Sequence, residues 1–158
     1  MSIRFFGPES PADDLARDGG GKAAHMARLH TLGVRVPEWC CIPATVYDSH
    51  KDRGELPADV RDDVRAALGE LGLSDALIAV RSSGIGEDSA ERSFAGQYAS
   101  FLFQRGDAQI AKAVVDCWAS AVSERNVAYR KHTGDTSAPR MGVILQRMVD
   151  SEVSGVAF

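Results

Sequence analysis

Apolar and polar residues repeat along this chain with two different periods, and the changes of period mark its elements. Residues 23–32 carry Met26, Leu29 and Leu32 at helical spacing, with Gly33 as a stop signal, which predicts a helix. "VRVPEWCCIPATVY", residues 34–47, is rich in β-branched residues and interrupted by Pro37 and Pro43, so it reads as extended chain. Pro57 suits the first turn of a second helix, whose apolar stripe is Val60, Val64, Leu68 and Leu71. "ALIAV", residues 76–80, is a short continuous apolar run of the kind a buried strand needs.

A loop of small and charged residues, "RSSGIGEDSAERS", is expected next, and "FAGQYASFLF" resumes an extended, aromatic pattern. The longest helix is predicted from an N-cap at Asp107 to an end between His132 and Gly134. Ile110, Val114, Trp118, Ala121 and Val122 trace one of its faces. "MGVILQRMV" predicts a strand, "DSE" a tight turn, and "VSGVAF" the strand's antiparallel partner. A strand-like run that reaches Phe158 is expected either to dock into a sheet or to continue in a longer polypeptide. Left open, its edge would present unpaired N–H and C=O groups, which predicts a homodimer or exchange of terminal strands.

Composition narrows the class. The chain has 158 residues, 44% apolar and 25% charged, enough for one globular domain or two small lobes. Its net charge of −4 argues against a broad nucleic-acid footprint but leaves room for a local anion pocket. The start "MSIRFFGPESPADD" has no signal-peptide core, and no run approaches the ~18 apolar residues of a membrane span. Cys40, Cys41 and Cys117 form no CxxC pair, so they are expected to be reduced, buried thiols of a cytoplasmic protein, with no metal site built on them.

Two stretches carry candidate chemistry. Gly19, Gly20 and Gly21 directly precede Lys22 and a helix start. Bare backbone admits an anion, a helix N-terminus adds partial positive charge, and Lys22 adds a full one. Ala23 follows Lys22, so this is not a Walker A loop. The alternative is a flexible loop that ends at an exposed lysine. Arg81 ends the apolar run and is followed by Ser82, Ser83 and Gly84, a setting that suits bidentate phosphate binding. Its alternative is a brace to Glu87 or Asp88. "GIGEDS" lacks the third glycine of a dinucleotide fingerprint, which excludes a Rossmann site. Arg125 and Arg130, five apart on the predicted long helix, are expected to point in different directions. Gln146 and Met148 share one strand face, where they would line a purine pocket or, for Met148, simply fill core. His25, His30, His50 and His132 lack zinc-helix spacing, and no GxSxG occurs.

Four segments, "GGKAAHMARLHTLGVRVPEWCCI", "AVRSSGIGEDSAERSFAGQYASFLF", "CWASAVSERNVAYRKHTG" and "GVILQRMVDSEVSGVAF", together resemble the N-terminal nucleotide-binding region of the phosphoenolpyruvate synthase and pyruvate phosphate dikinase family. That family also includes rifampin phosphotransferases and glucan water dikinases. The resemblance implies an α+β (α/β), ATP-grasp-like fold: a mixed or antiparallel sheet with packed helices. Residues 1–140 would be the first, nucleotide-binding lobe, and 141–158 the start of an incomplete second lobe.

The resemblance also assigns roles. Lys22 and Arg81 match phosphate-contacting residues beside Gly20 and Gly21. Ser100 falls where a nucleotide-contacting threonine is common, and Gln146 and Met148 fall beside the adenine. ATP would be cleaved to AMP and its β-phosphoryl passed to a histidine on a separate domain, then to an acceptor. The ligands of Mg²⁺ and the phosphohistidine are expected outside this sequence, in further domains or a complementing chain. The rival expectation is a stand-alone, non-catalytic module that binds nucleotide or a protein partner.

Overall fold

The computed structural model describes residues 3–86, 99–123 and 138–155. Its elements run in chain order as α1 (Ala12–Asp14), a π-helical turn (Leu15–Gly19), α2 (Gly21–Thr31), β1 (Trp39–Ile42), α3 (Ala44–His50), α4 (Ala58–Glu70), β2 (Ile78–Gly84), β3 (Ser100–Gln104), α5 (Gly106–Ser120) and β4 (Met141–Arg147). The four strands form one open sheet in the order β1-β4-β2-β3, antiparallel at every pairing. Helices pack on this sheet in the α+β, ATP-grasp-like arrangement expected.

Strand alternation assigns the two faces. Cys40, Ile42, Ile78, Val80, Val143 and Leu145 join α3, α4 and α5 in the larger core. Trp39, Cys41 and Ile144 meet Phe6, Leu15, Ala23, Met26 and Ala27 in a smaller one. Covered on both sides, β4 is buried from Met141 to Gln146, which explains its nearly continuous apolar sequence. Each large side chain buried here contributes about 1.5–3 kcal/mol.

Several expectations are corrected. Only Trp39–Ile42 of residues 34–47 is a strand; Ala44–His50 is helical, with Pro43 in the N-cap position. The β-branched residues of that run misled because burial of Ala44, Val46 and Tyr47 outweighs local propensity. β2 continues four residues beyond Val80, through "RSSG", where a loop was expected. Ser82 and Ser83 can sit buried in it because their hydroxyls are used: Ser82 Oγ donates to Ala99 O at 2.8 Å, and Ser83 Oγ accepts from Ala23 N at 3.2 Å.

The helix expected at 23–32 forms, but Leu29 and Leu32 are exposed; α2 buries Ala23, Met26 and Ala27 instead. In α5 the N-cap position is Arg105, and Asp107 lies in the first turn, bonded to Arg65. The helix was expected to run on to between His132 and Gly134, but α5 ends at Ser120 and residues 121–123 form a turn in which Val122 is exposed; residues 124–137 lie outside the described residues.

The partners of β4 are β1 and β2, not the described residues 153–155. Residues 153–155 form no strand, and 156–158 lie outside the described residues. No strand is therefore seen at 153–155 for the predicted exchange. Met141–Arg147, where a second lobe was expected to begin, pairs inside this one sheet. Among the described residues no helix is long and apolar enough to cross a membrane.

All three cysteines are buried free thiols. Burial, reinforced by the charge of Glu70, pushes Cys40 up to about 12. Burial, reinforced by Asp116, does the same for Cys117. In the unfolded chain these thiols ionise near their ordinary value of 9.0, while the folded chain still holds the protons. The unfolded state therefore binds fewer protons above that pH, and stability falls as pH rises from about 9 to 12, by up to about 1.4 kcal/mol per pH unit for each thiol. Urea denaturation at pH 8, 9, 10 and 11 should show this decline, and Cys117→Ala should make it shallower.

Candidate functional site

The three glycines act first on packing. Gly20 has φ +86°, and its N–H donates to Leu15 O at 2.8 Å, closing the π-helical turn. A Cβ at Gly20 would lie 2.2 Å from Ser83 O and 2.5 Å from Ser83 Oγ. A Cβ at Gly142 would lie 2.5 Å from Gly19 O. The start of α2 thus rests on the backbone of β2 and β4 with no room for a side chain between them. Ser83 Oγ then caps Ala23 N, one of the N–H groups left over at any helix start. Gly21 and Lys22 follow, both half-buried.

Arg81 lies on the same face. It stands opposite Ile144 of β4, which belongs to the core under α2, and two residues before Ser83 on one strand. Its Nη1 donates to Gln146 Oε1 at 2.9 Å. Gln146 is buried and pairs across the sheet with both Ala79 and Trp39. Ser100 is the cross-strand neighbour of Arg81 on β3 and is exposed. Met148 follows β4, half-buried, its N–H donating to Leu77 O at 2.8 Å. Lys22 is close enough to lower the Cys117 thiol against the larger upward push of burial. Cys117 Sγ itself sits under Val80 O and Ala99 O. Gly20 and the start of α2 thus lie on the sheet face that carries Arg81 and Gln146, with Ser100 beside Arg81 on the edge strand β3.

Electrostatically, Arg81 is a half-buried cation whose partner among the described residues is a neutral amide. Arg140 and Arg147, by contrast, pair with carboxylates: Arg140 with Asp18 and Asp48, and Arg147 with Glu38. The alternative brace of Arg81 to Glu87 or Asp88 lies outside the described residues, as do Arg125 and Arg130. Among the described residues no three His, Cys, Asp or Glu side chains are grouped to hold a metal.

A cavity of about 530 Å³ lies elsewhere, behind the π-helical turn, lined by Arg4, Phe6, Thr45, Val46 and His50 among others, and none of the expected residues lines it. Sequence reasoning missed the helix-capping role of Ser83 and the part played by Asp18, because both act on partners distant in sequence.

Comparison with known proteins identifies a family. The family described as pyruvate phosphate dikinase, AMP/ATP-binding domain, matches residues 52–158. The prodigiosin synthesizing transferase PigC of Serratia marcescens is 36% identical over 88% of this chain and 18% of its own length. A probable phosphoenolpyruvate synthase of Methanothermobacter thermautotrophicus is 30% identical over 99% of this chain and 28% of its own length. A rifampicin phosphotransferase of Streptomyces sp is 34% identical over 88% and 20%, respectively. The chain thus spans between 18% and 28% of the length of these relatives.

The close approach of α2 to β2 is directly testable. Gly20→Ala combines a left-handed φ with a Cβ 2.2 Å from a carbonyl oxygen. It should lower unfolding free energy by about 1–3 kcal/mol. Urea titration followed by circular dichroism measures this.

Proposed function

The chain belongs to the pyruvate phosphate dikinase AMP/ATP-binding family, and from that premise we propose that the face carrying Arg81 and the start of α2 is one wall of an ATP site in a dikinase-type phosphotransferase. The observation that carries this reading is the electrostatic state of Arg81. This half-buried guanidinium is held by a neutral amide, with no carboxylate partner among the described residues, and a phosphate is a partner its fork geometry suits. Lys22, on the same face, supplies the second cation.

In this reading Lys22 and Arg81 hold the phosphate oxygens, the backbone at Gly20 and Gly21 lies alongside them, and Ser100 contacts the nucleotide. Gln146 and Met148 border the adenine. Gln146 then has two roles, since its amide oxygen already orients Arg81. Phosphoryl transfer is mostly positioning and charge neutralisation, which is chemistry this set of side chains can perform. ATP would be cleaved to AMP, with the γ-phosphate passing to water, phosphate or another acceptor and the β-phosphoryl to a histidine on another domain and then to its acceptor. Among the described residues no three His, Cys, Asp or Glu side chains are grouped to hold Mg²⁺, and its ligands would come from the second lobe.

That lobe, expected from residue 141 onward, would be built beyond the inner strand β4. Relatives named for phosphoenolpyruvate synthesis, for transfer to rifampicin and for prodigiosin synthesis all share this region. The choice of acceptor is therefore assigned to the parts of those proteins that this chain does not span.

Isothermal titration with ATP and AMP tests the reading. ATP should bind saturably and more tightly than AMP. Lys22→Ala and Arg81→Ala should each weaken ATP at least about tenfold, the loss of one charge-assisted contact, with thermal melts confirming that the variants fold. Equal affinity for ATP and AMP, or folded variants that bind ATP like the wild type, would overturn it.

A further inference from the structure

Lys22 is presented by a segment that is not intrinsically rigid. The turn Leu15–Gly19 is π-helical, a geometry rarely stable by itself, and Gly20 after it is a residue of high conformational freedom. Something other than local propensity must hold this segment in place. Leu15 anchors it on the inside, fully buried in the smaller core. On the outside the anchor is Asp18.

Its carboxylate accepts three hydrogen bonds from two other parts of the chain. Oδ1 accepts from Thr45 N and from Arg140 Nη2, each at 3.0 Å, and Oδ2 accepts from Thr45 Oγ1, also at 3.0 Å. Thr45 lies in the first turn of α3, which has no side-chain cap and no acidic residue of its own there. Asp18 satisfies that N–H from a distance. Arg140 immediately precedes β4. It also donates to Arg17 O at 3.3 Å and to Asp48 Oδ2 at 2.8 Å, and its own carbonyl accepts from Ile85 N at 3.0 Å. The Asp18 side chain is 18% exposed and that of Arg140 34%, so water screens this network only in part.

We propose that Asp18 is a positioning residue for the nucleotide site: by joining the π-helical turn to α3 and to the start of β4, it sets where Gly20–Lys22 lies on the sheet face that carries Arg81. Ser83 fixes the segment after Gly20 and Asp18 fixes it before. Lys22 is four residues from Asp18 and inherits its position from both anchors. The inference rests on the reading of Lys22 as a phosphate ligand.

A double-mutant cycle on the 158-residue chain tests it. Asp18→Asn keeps the shape and removes the charge. It should weaken ATP about fivefold in the wild-type background, leave AMP within about twofold, and have no effect on ATP once Lys22 is alanine. Amide hydrogen exchange should quicken at residues 19–24 and stay unchanged in α4. If Asp18→Asn does not fold, Thr45→Val, which removes only the Oγ1 contact, should give the same pattern at smaller amplitude. Equal loss of ATP affinity with and without Lys22, or unchanged exchange at residues 19–24, overturns the positioning role and leaves the ATP reading intact. Absence of ATP binding by the wild-type chain, or no effect of Lys22→Ala, removes the ATP reading and this inference with it.

Discussion

The structure depends on how closely one helix start can approach the sheet. At Gly20 and Gly142 the backbone of the π-helical turn and α2 comes within contact distance of β2 and β4, and a single methyl at either position would collide with a carbonyl oxygen. This approach seals the smaller core, with Ala23 and Ala27 rather than leucines facing Trp39, Cys41 and Ile144. It also puts Ser83 under Ala23 N and sets the start of α2 on the face that carries Arg81. Glycine here removes bulk so that packing and site geometry become one problem.

The second theme is where charge is left over. Arg140 is held between Asp18 and Asp48 at the edge of the fold. Burial works against its charge, yet the two carboxylates raise its pKa above the ordinary value. Arg147 is likewise neutralised by Glu38. Arg81 is treated differently, set at the centre of the sheet face beside a neutral glutamine. A half-buried cation without a counter-ion among its described neighbours is costly for a fold. In the proposed ATP site the phosphates would offset that cost.

Much of the architecture was legible in the sequence. The stripe Val60, Val64 and Leu68 faces the core as its spacing required, and Ile110, Val114 and Trp118 do so in α5. "MGVILQR" is a strand because nothing polar interrupts it before Gln146. Lys22 and Arg81 were legible as cations beside small residues. The errors share one origin: a local signal was overruled by a distant partner. "RSSG" reads as a loop until the hydroxyls of Ser82 and Ser83 find Ala99 O and Ala23 N. "ATVY" reads as extended until Asp18 caps the turn that contains it. Leu29 and Leu32 read as core until the alanines on the other side of α2 take the sheet.

By itself, then, the sequence determined which segments have a face to bury and which residues carry charge or bare backbone, because period and side-chain chemistry are local properties. Only the tertiary structure decided that Gly20 lies against Ser83, that Gln146 binds Arg81, and that Asp18 reaches both Thr45 and Arg140. Those pairings join residues up to 122 positions apart. Their geometry follows from how closely a helix and a four-stranded sheet can pack, which no run of neighbouring residues encodes.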